Sequence, residues 1–224
     1  MNYFAHGYRF IEDPYLLAGT AVPDWLSVAD RRVRTRPSQA AEFATASDPQ
    51  VAAVARGIAQ HHHDDAWFHN TEAFNQLSWK LAVLCRDALP TEEGVRPSVL
   101  GHILLELLLD AALIERNPAL LDKYYAAMET VDPTLIERTV NALARNTTDR
   151  LAWFIDRFRQ VRFLYDYADD AKLLFRLNQV LFRVQLPPLQ EAFVGVIAAA
   201  RQQINAQAAE LLLENNPEQK RLAG

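Results

Sequence analysis

The chain has 224 residues, 50% of them hydrophobic and 23% charged, and a formal net charge of −5 at pH 7. That balance excludes fibrous and broadly disordered classes and leaves enough apolar surface for a core. The negative charge argues against a nucleic-acid binder, which needs a positive field to gather phosphates. Seven scattered glycines exclude a G-x-G-x-x-G dinucleotide turn and a G-x-x-x-x-G-K phosphate loop, both of which need clustered glycines. The lone cysteine, Cys85, forms no internal disulfide, and Leu81, Val83 and Leu84 beside it suggest a packed thiol. The longest apolar run, 103–114, contains Glu106 and Asp110 and is too short to span a bilayer. No cleavable leader opens the sequence, so a soluble, cytoplasmic protein without membrane or nucleic-acid partners is expected.

Helical signals dominate in chain order. Asp13-Pro14, Asp48-Pro49, Asn117-Pro118 and Asp132-Pro133 each set a capping side chain before a proline suited to the first helical position. Apolar periodicity predicts helices over 2–11, 14–29, 48–67, 70–88, 97–115, 117–129, 132–146, 148–166, 169–184 and 187–215. Within 148–166, Phe154, Phe158, Val161 and Tyr165 recur at helical spacing and read as a buried stripe. The last helix presents Leu189, Phe193, Ile197, Ile204, Ala208 and Leu211 on its apolar face. Segments 30–47 and 87–96 read as loops, and the polar tail reads as frayed. The expectation is an all-α bundle in one domain over 1–224. Residues 1–125 form its chemistry-bearing half, 126–215 its packing helices and 216–224 a flexible tail.

All six histidines, His6, His61, His62, His63, His69 and His102, lie in the first 102 residues. His61 and Asp65 are four apart and so share a helix face, which Asp64 can join. His102, Glu106 and Asp110 form an i, i+4, i+8 series on a helix otherwise built of leucine and isoleucine. Such groups are costly to bury unless they pair with one another or hold a cation. Asp24 follows Pro23 in another apolar stretch. Carboxylate and imidazole donors together suit Mn, Fe, Mg or Zn. Arg31, Arg32, Arg34 and Arg36 form a basic cluster that reads either as a solvated loop or as a patch for phosphate or an acidic partner. Neither H-E-x-x-H nor E-x-x-H occurs, which excludes a zincin helix and disfavours a ferritin-like di-iron bundle. A G-x-S-x-G elbow is also missing.

Four motifs, in order and with matching spacing over about residues 1–125, carry a family resemblance. Met1-Asn2-Tyr3-Phe4-Ala5-His6 resembles the M-N-[FY]-[LF]-A-H opening of the acyl carrier protein phosphodiesterases, a branch of the HD-domain metal phosphohydrolases. The stretch from Gly19 to Trp25 is similar to the family's G-N-x-x-x-D-F, which places Asp24 on its aspartate. Gly57 to Asp65 is similar to G-I-x-x-H-R-x-I-D, which places His61 and Asp65 on the motif's ligands. Leu105 to Asp110 is similar to L-D-x-x-x-D-H, with Glu106 and Asp110 in the acidic positions. The chain departs from the pattern at Thr20 (Asn in the family), His62 (Arg) and Ala111 (His), and His63-Asp64 is a second, literal His-Asp pair.

The resemblance implies an HD-like fold of about nine or ten helices. It also implies a divalent metal, Mn foremost, held by His6, Asp24, His61, Asp65 and Asp110, with Glu106 and the extra imidazole His102, which lies outside the family pattern, as further ligands or as groups that fix the ligands. Asp24, His61, Asp65 and Asp110 would serve hydrolysis of the phosphodiester that joins phosphopantetheine to an acyl carrier protein. The basic cluster would receive that acidic partner or its phosphate. Two other readings stay open: a non-catalytic helical interaction protein on the same scaffold, and a hydrolase of small phosphoesters.

Overall fold

Proline starts most of the helices. In the structure, a computed structural model describing residues 1–89 and 96–213, α1 spans Tyr3–Gly7 and α2 Pro14–Ala29. They are followed by α3 (Pro37–Phe43), α4 (Pro49–Phe68), α5 (Glu72–Ala88) and α6 (Pro97–Arg116). The chain continues through α7 (Pro118–Glu129), α8 (Pro133–Leu143), α9 (Leu151–Val161), α10 (Asp170–Arg183) and α11 (Val194–Leu213). No strand occurs among the described residues, and the protein is all-α. All four Asp-Pro and Asn-Pro pairs open a helix. Asp13 accepts from the Leu16 N–H, Asp48 from those of Gln50 and Val51, and Asp132 from that of Thr134. Asn117 makes no such side-chain bond, so there proline alone supplies the preset backbone angle. Thr71 caps α5 through the Phe74 N–H and Asp169 caps α10 through that of Lys172, contacts worth about 1 kcal/mol each.

Three expectations change. The stretch 30–47 is not all loop, because Pro37 starts α3 and Ala40 seats it in the core. The stripe on α9 is Leu151, Ile155 and Phe158. Arg162, at φ 46°, ends that helix in the left-handed region, so Tyr165 falls outside it and is exposed. Regular α-helix begins only at Val194 in the last segment, after Pro187, Pro188 and a 3-10 turn at Glu191–Phe193. Its expected apolar face from Leu189 to Leu211 is nevertheless buried. Most of the 87–96 loop and the tail from Asn215 lie outside the described residues.

Contacts divide the chain into two units, each assembled from two stretches. Unit 1 comprises Met1–Ala66 and Arg116–Tyr165. Its core centres on Phe158, whose ring lies 5.4 Å from those of Tyr3 and Trp25, 5.5 Å from Phe163 and 5.7 Å from Tyr125. Here α2 and α4 approach backbone to backbone. A Cβ at Gly57 would meet the Leu16 carbonyl oxygen at 2.1 Å and the Gly19 Cα at 2.7 Å. Glycine on both helices permits this approach.

Unit 2 comprises Trp67–Glu115 and Asp166–Gly224. There α5 packs on α11 and α11 on α10. Gly101 of α6 sits where a Cβ would stand 2.6 Å from the backbone nitrogen of Ala82 on α5. Arg201 on α11 ties α10 down through Asp170 at 2.8 Å. Cys85 is fully buried, and burial pushes its thiol up to about 12. By length and composition alone α6 could cross a membrane. Leu100, Leu104, Leu105, Leu108 and Leu109 are fully buried within the protein instead.

Candidate metal centre

The spacing of His61 and Asp65 on α4 brings both to one side of that helix, and α1 adds His6. One ligand atom from each of the three lies within 4.8 Å of the others. The His6 Nε2 is 3.2 Å from Asp65 Oδ1, and the His61 Nε2 is 3.4 Å from Asp65 Oδ2. The two imidazoles stack with centroids 3.9 Å apart.

His61 has a defined tautomer. Its Nδ1–H donates to the Thr20 carbonyl at 2.8 Å, which leaves the Nε2 lone pair aimed at the cluster. That carbonyl belongs to α2, so the glycine-mediated contact between α2 and α4 also orients the ring. His6 differs. It is fully buried, and neither of its ring nitrogens has a hydrogen-bond partner. Its Nδ1 is 3.9 Å from Asp64 Oδ2, too long and misdirected for a hydrogen bond. Burial by itself would lower the His6 pKa, but Asp64 and Asp65 outweigh it and raise the value to about 9.

The acids separate by role. Asp65 holds the positive groups together, accepting from the Met1 ammonium at 2.8 Å and facing both imidazoles. Burial would raise its pKa, yet His6 and His61 hold the carboxyl far below the usual range. Asp64 is anchored from the side by Arg9 at 3.0 Å and by the Gln60 amide at 2.8 Å. Asp24, on α2, has a buried Oδ2 with no hydrogen-bond partner. Its pKa is raised by burial, against the opposing fields of His61 and His6.

The structure thus gathers His6, His61 and Asp65, so the histidine of the triplet that joins the cluster is His61, while Asp24 lies within the electrostatic reach of both imidazoles but is not one of the three converging groups. His63 is exposed, so the literal His63-Asp64 pair does not act as a unit, although Asp64 is buried beside His6. His62 turns away, and its Nε2 lies 3.3 Å from the Thr35 hydroxyl.

His102 and Glu106 belong to a second cluster in unit 2, completed by His69, which sequence reasoning did not single out. His69 Nε2 and His102 Nε2 lie 3.0 and 3.2 Å from the same Glu106 Oε1. Asp110 is fully buried on α6 and is a member of neither cluster. Of the seven expected ligands, His6, His61 and Asp65 fall in one three-residue group and His102 and Glu106, with His69, in another, while Asp24 and Asp110 are in neither.

Arg31, Arg32, Arg34 and Arg36 are all exposed between α2 and α3. Arg32 is held in a two-pronged contact with Asp30, and Arg31 donates to the Ser27 carbonyl at 3.2 Å. Thr35, inside this stretch, is the residue that meets His62, so the basic segment runs past the end of the first cluster.

These donors fit a divalent ion. Two imidazoles and a carboxylate converge, one imidazole is fixed with its lone pair inward, and buried polar atoms of His6 and Asp24 lack partners. Compared with known protein families, with curated proteins and with solved structures, the chain matches none.

Proposed function

We propose that the protein is a metal-dependent phosphodiesterase whose ion is held by His6, His61, Asp65 and Asp24. One observation carries this reading. His6, completely buried, offers two ring nitrogens without hydrogen bonds in a nest of carboxylates and a second imidazole. In the metal-free protein the neighbouring carboxylates compensate His6 only when it is protonated, and a divalent ion taking the place of that proton would also compensate the buried Asp24 oxygen.

A bound divalent ion would supply Lewis-acid polarisation of a phosphoryl oxygen and acidify water near neutral pH. The chain's own residues do the rest. Thr20 fixes the His61 tautomer, Arg9 and Gln60 hold Asp64 in place, and Asp65 bridges the two histidines. The exposed arginines from Arg31 to Arg36 would meet the phosphate or the acidic face of a carrier protein, as the family resemblance implies. Mn is the leading metal because the family resemblance implies it, with Fe, Mg and Zn as alternatives that two imidazoles and carboxylates also suit. The cytoplasm is the expected compartment.

The test is hydrolysis of holo acyl carrier protein and of a panel of small phosphodiesters by purified protein, with and without Mn²⁺. Release of phosphopantetheine supports the carrier-protein reading. Cleavage confined to the small esters moves the assignment to a small-phosphoester hydrolase. No metal retention and no turnover on either leaves the scaffold as an interaction protein. Two contacts favour that last reading: the Met1 ammonium already neutralises Asp65, and Arg9 already neutralises Asp64.

The pH dependence has a definite sign. The pKa of His6 is raised from 6.5 to about 9, so the charged imidazole stabilises the metal-free fold fully below 6.5. That contribution, on the order of 3 kcal/mol, is lost as pH rises through about 9. The metal-free protein should therefore melt progressively lower between pH 7 and 10. Metal uptake, which must displace the His6 proton, should tighten up to about tenfold per pH unit over the approach to pH 9. Melting curves and metal titrations at four or five pH values check both trends.

A further inference from the structure

The unit 2 cluster lies outside the proposed phosphodiesterase site, and its geometry is that of a ligand set. On α6, His102 and Glu106 are one turn apart and face the same way. The turn after α4 adds His69, whose Nε2 is 3.0 Å from Glu106 Oε1. His102 Nε2 reaches that same oxygen at 3.2 Å, and the three ligand atoms all lie within 4.8 Å of one another. Two imidazole nitrogens thus aim at one carboxylate oxygen from different segments.

The rings are held in place from behind. Phe74 packs edge-on against both, with centroids 4.8 Å from His69 and 5.1 Å from His102. Phe68 lies 5.7 Å from His69 on another side. The imidazoles themselves are 5.0 Å apart and tilted by 40°. Apolar walls that fix ring orientation restrict the imidazoles to one arrangement, as a ligand set requires.

The side chains of His69, His102 and Glu106 are 34%, 40% and 20% exposed, so solvent, and an ion with its waters, can reach them. An ion bound at about 2.0–2.2 Å by nitrogen and oxygen donors separates those donors by about 3.3 Å in a tetrahedron. The observed separations of 3.0 and 3.2 Å require only a slight opening of the cluster. Two imidazoles with one carboxylate suit borderline ions, and a three-residue set leaves further positions for water or a ligand.

From this we infer that His69, His102 and Glu106 form a second metal site, selective for a borderline divalent transition ion such as Zn²⁺. The site stands on residues of unit 2 alone and does not rest on the phosphodiesterase reading.

The experiment titrates chelator-stripped, full-length protein with Zn²⁺ against a chromogenic chelator, comparing wild type with H69A/H102A, Glu106→Gln and Asp65→Asn. Wild type should take up one zinc equivalent more than H69A/H102A, and Glu106→Gln should weaken that equivalent at least tenfold. Asp65→Asn should keep it. With Co²⁺ in place of Zn²⁺, visible d–d bands should appear in wild type and Asp65→Asn and vanish in H69A/H102A. Equal stoichiometry and affinity in wild type and H69A/H102A would overturn the site. So would loss of the same equivalent in Asp65→Asn, which would assign the ion to the first cluster. Far-UV circular dichroism checks folding, and if the double variant unfolds, unchanged zinc affinity in the near-isosteric Glu106→Gln overturns the proposal by itself.

Discussion

Gly57→Ala should destabilise the protein by about 3 kcal/mol and misplace the first histidine–carboxylate cluster at the same time. On an exposed helix the same change would stabilise by up to about 1 kcal/mol, because alanine is the better helix former. Here the sign reverses. The added methyl would stand 2.1 Å from the Leu16 carbonyl oxygen and 2.8 Å from the Thr20 nitrogen, both backbone atoms that no rotamer change can move. Relief requires α2 and α4 to separate. Separation breaks the bond from His61 to the Thr20 carbonyl and so releases the ring that faces Asp65. Denaturant unfolding measures the first effect and Mn²⁺ affinity the second. Gly195→Ala, exposed on α11 where a Cβ meets nothing within 4 Å, is the control: it should raise stability by up to about 1 kcal/mol and leave Mn²⁺ affinity unchanged.

Asp65→Asn should lower Mn²⁺ affinity more than about a hundredfold and abolish metal-dependent turnover, because removing a ligand costs more than removing its support. Asn keeps the shape of the side chain but loses the charge that holds His6, His61 and the Met1 ammonium together. Asp64→Asn should cost only about tenfold, since that carboxylate is already engaged by Arg9 and Gln60. Equal effects from the two substitutions would show that Asp65 has no special place. Isothermal titration with Mn²⁺ gives the comparison directly, and near-UV circular dichroism verifies that the core survives.

Much of the helical order could be read from local chemistry. Each Asp-Pro or Asn-Pro pair opens a helix because a preset φ, joined by a side-chain cap at the three Asp-Pro pairs, acts within four residues. The i, i+4 relation of His61 and Asp65 is equally local, and the fold preserves it as a contact. What failed was longer-range. Seven residues of α3 depend on seating Ala40 in the core, which no periodicity in so short a stretch reveals. The stripe on α9 shifted because a left-handed Arg162 ended the helix before Tyr165. His69 was passed over because its partner Glu106 is 37 residues away in sequence. For the same reason, division of the acids and imidazoles between two clusters could not be foreseen from spacing on individual helices.

The condition of Cys85 has a practical consequence. The sole sulfhydryl is sealed inside unit 2 and is almost entirely protonated at neutral pH. Alkylating reagents attack the thiolate, so derivatisation must wait for the surrounding helices to part. The chain therefore carries its own single-site clock for breathing of that core, one that needs no engineered label.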